Sequence, residues 1–414
     1  MDRLGDMRYN AANHYCSTIQ THMATLKING FHTSTTGRSE GIGQFLLDVD
    51  SAGVPFFAYC VDGTTSLMDA QKIMKYSSVA HHAVFRQSYF PFNQGGSDVP
   101  DYTEDAETAA RKQWESHRDR WPSELDPALI YGETVNELRK EVEWADWIGE
   151  FCYHTGLLAL RDGFKWCGPG YSAGTPDEGA WETPGMLKFL DLIQRNPDKL
   201  AVALHEYSLT TSDIWNGGGG LVGRFQQLID ACKKHQIEPP PIFFTEWGWT
   251  HNRIPEPEQA MKDILEVGEL YAQYPSIKGS AIWALDGGWN SLAVQTARLM
   301  DPLEKALIQT RYPDPKVEQP PMDESEATKG LPREQYGREY LVAPQESSMD
   351  EWLDICRKAF ERKQTVGFSY DDAGVGALDR KTAILYDIPR EKRMAYLAWY
   401  ERYYPDTKVF FRDS

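Results

Sequence analysis

From Leu26 to about Gln309 the chain alternates short apolar runs, bounded by turn or polar residues, with longer stretches of helical periodicity. That alternation is the mark of βα units. The apolar runs predict strands at Leu26–Phe31, Pro55–Val61, His82–Gln87, Ala128–Tyr131, Gly163–Cys167, Leu200–His205, Pro241–Thr245 and Ile277–Trp283. Between them the periodicity predicts helices at Gly43–Ala52, Leu67–Ser78, Thr103–Arg120, Glu137–Thr155, Thr183–Asn196, Leu221–His235 and Glu256–Tyr274. A last helix, Ser291–Gln309, would close the ring. Eight strands, each followed by a helix, predict an α/β fold of the (β/α)₈ TIM-barrel type over residues 26–311, behind an N-terminal extension of residues 1–25.

The competing architecture is an open doubly wound sheet, which calls for a Gly-rich phosphate turn after an early strand. None is present. Gly217–Gly220 follows the sixth strand without a Lys or the G-x-G-x-x-G spacing, and it reads as a flexible loop over the barrel mouth. Residues 312–332 turn to Pro, Glu, Asp, Lys and Gly, the composition of a linker. Residues 333–414 carry a second pattern: strands near Glu339–Ala343, Thr365–Tyr370, Thr382–Tyr386 and Lys408–Phe411, with helices at Met349–Lys363 and Glu391–Tyr404. The order βαββαβ predicts a small ferredoxin-like α+β accessory domain.

A barrel of this kind carries its chemistry at the C-terminal ends of the strands. The fourth predicted strand runs into Gly132-Glu133-Thr134-Val135-Asn136-Glu137, and the seventh reads Pro241-Ile242-Phe243-Phe244-Thr245-Glu246-Trp247-Gly248-Trp249. Glycosidic cleavage needs two carboxyl groups flanking one bond, and rigid strand ends across a barrel can hold such a pair. The sixth strand ends His205-Glu206-Tyr207 and the eighth ends Ile282-Trp283. On strict alternation Glu206 points away from its neighbours, towards the helix layer. Each motif also has an ordinary reading. Asn136-Glu137 could simply cap the helix predicted to start there, and a Glu closing an apolar strand can be where the chain meets water.

In order and spacing over about residues 26–300, these motifs resemble the clan A glycoside hydrolases, whose catalytic glutamates sit on strands four and seven. The resemblance implies that Glu137 is the acid and then base, with Asn136 binding the sugar 2-hydroxyl. It implies that Glu246 is the nucleophile, with Tyr207 hydrogen-bonded to it and His205 in the same cluster. Trp283 falls at the family's sugar-stacking tryptophan. Glu133, four residues before Glu137, ranks below it because Asn136-Glu137 is the matching dipeptide. One carboxyl must be protonated and the other ionised, so burial and repulsion have to split their pKa values.

Further polar groups at strand ends are His32, Asp62, Arg86 and Gln87, which at a barrel mouth commonly bind sugar hydroxyls or else serve structure; some clan members carry an Arg near the nucleophile, so Arg86 ranks first among them. Trp166, Tyr171, Trp249 and Trp289 join Trp283 as candidate sugar platforms, with core packing as the alternative. Thirteen Trp and twenty-one Tyr favour a carbohydrate substrate, and together with the Gly217–Gly220 loop they favour an endo-acting cleft. The net charge of −18 argues against nucleic acid and fits a neutral sugar.

The six cysteines show neither a C-x-x-C pair nor a His-linked ligand spacing, so buried free thiols and no metal are expected. No H-x-H pair accompanies His32, and no cofactor motif is present. No apolar run is long enough to span a membrane, and Met1–Tyr15 has no secretory signal pattern, which is compatible with a cytoplasmic protein or with a released or mature form. Two other readings stay open: a silent carbohydrate-binding barrel of a phage or cell-surface assembly, and a metal-dependent hydrolase using His32, His205 and the acids.

Overall fold

The computed structural model describes residues 23–89, 98–313, 339–342, 348–361, 365–367, 382–386, 388, 390–403 and 408–412. Strands β2 (Ile28–Ser34), β3 (Phe57–Val61), β4 (His82–Arg86), β5 (Tyr131–Glu133), β6 (Lys165–Tyr171), β7 (Leu200–Tyr207), β8 (Ile242–Gly248) and β9 (Ile277–Ile282) form a closed barrel. Each pairs in parallel with the next, and β9 returns to β2. Helices α1 (Ile42–Ser51), α2 (Thr65–Met74), α3 (Ala106–Asp119), α4 (Val142–Asp162), α5 (Pro184–Arg195), α6 (Gln226–Lys234) and α7 (Pro257–Ala272) connect successive strands. After β9 come α8 (Asn290–Ala297) and α9 (Met300–Gln309), and the barrel is the (β/α)₈ fold expected. An antiparallel ribbon of β1 (Met23–Thr25) with β10 (Arg311–Pro313) brackets it, drawing in residues assigned above to the extension and the linker.

Alternation along the strands sorts side chains into two layers. On β7, Leu200, Val202 and Leu204 join the outer core against the helices, whereas Ala201 and Ala203 face inward with Phe57, Tyr59, Val84, Tyr131 and Phe243. The inward rows continue upward into polar side chains at the mouth.

Two predicted helices are corrected. The one placed at Glu137–Thr155 begins only at Val142 and runs to Asp162, where Gly163 (φ 81°) caps it. Glu137 is therefore not a helix cap. The helix predicted over Ser291–Gln309 is two helices. Pro302 lacks an N–H for the carbonyl four residues back and is tolerated in the first turn of a new helix.

The chain divides into two compact units, Met1–Val317 and Glu318–Ser414. In the second, β11 (Glu339–Val342), β12 (Thr365–Gly367), β13 (Thr382–Tyr386) and β14 (Lys408–Arg412) accompany α10 (Met349–Glu361) and α11 (Arg390–Tyr403). The element order matches the sequence pattern, but the sheet is parallel throughout, in the order β12-β11-β13-β14. A ferredoxin-like sheet is antiparallel, so that assignment is corrected to a parallel four-stranded sheet in an α/β unit. The cause lies between β12 and β13, where about a dozen or more residues intervene, enough for a parallel crossover and too many for a tight hairpin. Among the described residues, Ala383, Leu385, Ile388 and Tyr400 form one buried cluster of this unit. The acidic segment Ser369–Gly376 lies outside the described residues, as do residues 1–22.

Candidate active site

The inward rows deliver Tyr59 from β3, Arg86 from β4, Glu133 from β5, and His205 and Tyr207 from β7 to the C-terminal mouth. Glu246 arrives differently. On β8 Phe243 faces inward, and Thr245 does too, its hydroxyl donating to Glu133 at 3.2 Å. Strict alternation would then turn Glu246 outward. The register against β7 slips between Leu204 and His205, so that Phe244 pairs with Leu204 but Glu246 pairs with His205. This bulge gives Thr245 and Glu246 the same face.

Glu137 also depends on an irregularity. Its backbone is left-handed (φ 47°), an uncommon state for a residue with a Cβ. Its N–H donates to the Gly170 carbonyl at 2.8 Å, pinning the loop after β5 to the end of β6. Gly170 (φ 65°) permits this approach, because a Cβ there would lie 2.8 Å from the Val135 carbonyl oxygen.

Both glutamates meet at His205. Its Nδ1 lies 3.4 Å from Glu246 Oε2 and 3.7 Å from Glu137 Oε1. One atom from each of the three side chains falls within 4.8 Å of the other two. Glu246 is buried, whereas the Glu137 side chain is 48% exposed and faces the opening. Tyr207 donates its hydroxyl to Glu246 Oε2 at 2.6 Å, and Arg86 Nη1 donates to Oε1 at 3.2 Å.

The electrostatics follow from this packing. Burial raises the Glu246 carboxyl, but His205, Arg86, His32 and the Tyr207 hydroxyl together bring it below its ordinary value. Glu137 is drawn down to about 2, chiefly by the His205 ring 3.7 Å from its Oε1. Burial lowers the His205 imidazolium, but Glu246 and Glu137 outweigh it and leave the group raised. Both carboxyls are thus drawn down and the imidazole between them is drawn up, each by the charge of the others. Burial raises Glu133, to about 6; it lies beneath the site with Tyr59 donating to it at 2.8 Å.

The other predicted residues divide. His32 is buried beside Tyr59 and Trp283, its ring 4.4 Å from the indole of Trp283 and lowered to about 4 by burial. Asn136 is half-buried next to Glu137. Trp283 is half-buried at the mouth, and Trp289, 42% exposed, packs against it at 5.7 Å. Trp166, Tyr171 and Trp249 are corrections. All three are fully buried in the outer core; Trp166 Nε1 donates to Thr134, Trp249 Nε1 donates to Asp263 of α7, and Tyr171 packs edge-on against Trp181. They hold helices to the barrel and cannot stack a sugar. Gln87 donates to carbonyls at the end of α3, and Asp62 accepts from Ser88, so both brace loops. Glu206 points into the helix layer, accepting from the Gly223 and Phe225 N–H groups and the Tyr271 hydroxyl. Sequence reading missed Asp98, which accepts two hydrogen bonds from Arg86, and Tyr59. Asp98 sits in the long segment after β4, where nothing in the sequence marks it. Tyr59 was legible as an inward position two before Val61.

No family model matches the sequence, and no curated protein is similar to it. Among solved structures, the chain is similar to a family 5 xyloglucanase from Paenibacillus pabuli (TM-score 0.40, 10% identity, 69% of this chain and 98% of that one). It is also similar to a family 128 (subgroup II) endo-beta-1,3-glucanase from Pseudomonas viridiflava (TM-score 0.35, 12% identity, 69% and 99%). A third is a broad-specificity endoglucanase from an uncultured bacterium (TM-score 0.34, 12% identity, 68% and 94%).

Proposed function

We propose that this protein is a retaining glycoside hydrolase of the clan A type, acting on a neutral oligo- or polysaccharide. Glu246 is the nucleophile and Glu137 the acid and base. The observation that carries the reading is the placement of two carboxylates from opposed parts of the barrel within 4.8 Å, oxygen to oxygen, at the mouth. Double displacement works with carboxyl groups ~5–5.5 Å apart, whereas inversion needs ~6.5–9.5 Å for an intervening water.

The three-group cluster supplies the protonation states. For the first step, Glu137 takes its proton from His205 once its half-exposed side chain closes the 3.7 Å between Oε1 and Nδ1 to a hydrogen bond, which leaves the charge of the site unchanged. Glu137 then protonates the departing glycosidic oxygen as Glu246 bonds to the anomeric carbon. In the ester, Glu246 is neutral, and Glu137, ionised by its proton loss, deprotonates the water that releases the sugar. Tyr207 and Arg86 hold Glu246 ionised and aimed until attack. Trp283 and Trp289 offer aromatic faces for the sugar.

The same three side chains favour a second reading, a metal-dependent hydrolase, since their spacing suits a divalent cation. Arg86, at 3.2 Å from Glu246, opposes it by adding positive charge to the same oxygens.

The test is a panel of aryl glycosides and polysaccharides with azide added. Glu246→Ala should abolish turnover and, with azide, give the inverted glycosyl azide. Glu137→Ala should stall at the glycosyl-enzyme on an activated aryl glycoside and, with azide, give the retained product. Swapped stereochemistry reverses the roles. Full activity in either variant, or no hydrolysis by the wild type, overturns the proposal.

A further inference from the structure

We propose that Asp98 is a positioning residue that sets both glutamates at once, through Arg86 on one side and the Asn136–Glu137 loop on the other. The inference rests on the glycosidase reading above and adds a residue to it.

Asp98 is buried between β4 and α3. Its Oδ2 accepts from Arg86 Nη2 at 2.7 Å and from Nε at 3.1 Å. Those bonds take one edge of a rigid planar fork. The remaining nitrogen, Nη1, then has one direction, towards Glu246 Oε1 at 3.2 Å and the Tyr59 hydroxyl at 3.4 Å. The main-chain carbonyl of the same residue accepts the Asn136 N–H at 3.3 Å, one position before Glu137. Asp98 therefore touches the support of the nucleophile and the loop of the acid, and neither glutamate itself.

Asp98 also sets how much of the Arg86 charge Glu246 feels. The groups facing Glu246 are Arg86 from β4, His205 and Tyr207 from β7, His32 from β2, Tyr59 from β3, and Glu133 and Glu137 from β5 and the loop after it. Of these, Arg86 is the one bonded to the Asp98 carboxylate. Without that carboxylate the guanidinium acts unbalanced on Glu246 and holds it ionised to lower pH.

Asp98→Asn removes the charge and leaves the carbonyl bond to Asn136. It should lower kcat about 10- to 100-fold with little change in KM, as loss of aim does. The acid limb of the kcat/KM profile should move to lower pH. In an Arg86→Gln background the same change should cost no further activity, since the route runs through Arg86. Carboxyl-carbon NMR titration of Glu246 in the full-length protein needs no substrate: its midpoint should fall in Asp98→Asn and stay near the wild-type position in Asp98→Glu, which keeps the charge. An unmoved titration, or a lowered melting temperature with an unmoved pH profile, makes Asp98 a structural brace and overturns the inference. A wild type that hydrolyses no glycoside overturns the glycosidase reading instead, and the titration still decides Asp98.

Discussion

Replacing Tyr207 by Phe isolates one contact at the proposed nucleophile, Glu246. The ring stays packed among Trp283 and His251, and only the hydroxyl bond to Glu246 Oε2 is lost. At 2.6 Å in a buried site this is a charge-assisted bond, of a kind worth about 1.5–3 kcal/mol. It favours the ionised carboxyl, so its loss raises the pKa of Glu246. At 1.36 kcal/mol per pH unit, the acid limb of kcat/KM should move up by about one to two pH units. The alkaline limb, which the proposed mechanism assigns to the proton supplied by His205 to Glu137, should stay in place.

Stability gives an independent reading of the same bond. Glu246 sits below its unfolded value in the native protein, so its ionisation stabilises the fold above the unfolded carboxyl pKa, and that contribution is lost as pH falls through the folded one. Tyr207→Phe should therefore be less stable than wild type by about 1.5–3 kcal/mol at pH 7. The gap should narrow in acid, where Glu246 is neutral in both proteins. The assays are pH–rate profiles on an aryl glycoside and urea unfolding at both pH values. An acid limb that stays put or moves down would refute the assignment of Tyr207 as the support of the nucleophile.

Other expectations follow from the geometry. Gly170→Ala forces a Cβ to 2.8 Å from the Val135 carbonyl at φ 65°, so it should cut kcat by tenfold or more and lower the melting temperature, read by kinetics and thermal denaturation. A chain cut after Val317 keeps the β1–β10 ribbon and should retain the unfolding midpoint of the barrel and its rate on small soluble glycosides. A cut before Arg311 should destabilise it, because Tyr312 also bonds the Leu265 carbonyl. Exhaustive dialysis against a chelator should leave hydrolysis unchanged, and activity lost and then restored by zinc would favour the metal reading.

Much of this was legible in the sequence, for a definite reason. The apolar runs gave eight strands near their observed positions, and an inward row, once started, carries Arg86, His205 and Tyr207 to the mouth by period two. The same rule placed Glu206 in the helix layer, where it is found. Errors arose where position along a strand was read without its face. Trp166 adjoins the inward Cys167, and so must point outward. Strand direction in the second unit was likewise hidden, since the order of elements does not say whether a connection doubles back or crosses over. Asp98 was out of reach because its role depends on the path of a loop.

Glu206 and Glu246 show why irregular backbone matters at this site. They lie on neighbouring strands, one step apart in register, at similar depth. Glu206 faces outward, where burial raises its carboxyl to about 7 against the hydrogen bonds it receives. Glu246 is equally enclosed, yet His205 and Arg86 outweigh burial and keep it ionised. What separates the buried acid Glu206 from the proposed nucleophile Glu246 is the face it occupies, and the bulge at Thr245 decides that face. A regular β8 would send Glu246 to the layer that holds Trp247 and Glu206, leaving Arg86, Tyr207 and His205 converging on no carboxylate from that strand. Glu137 is brought in by a comparable exception, a left-handed residue that costs of order 1–3 kcal/mol and is held by the Gly170 carbonyl. Two departures from regular geometry, on opposite sides of one mouth, each bring a carboxylate to the same histidine. That convergence of two carboxylates is the arrangement the proposed double displacement requires.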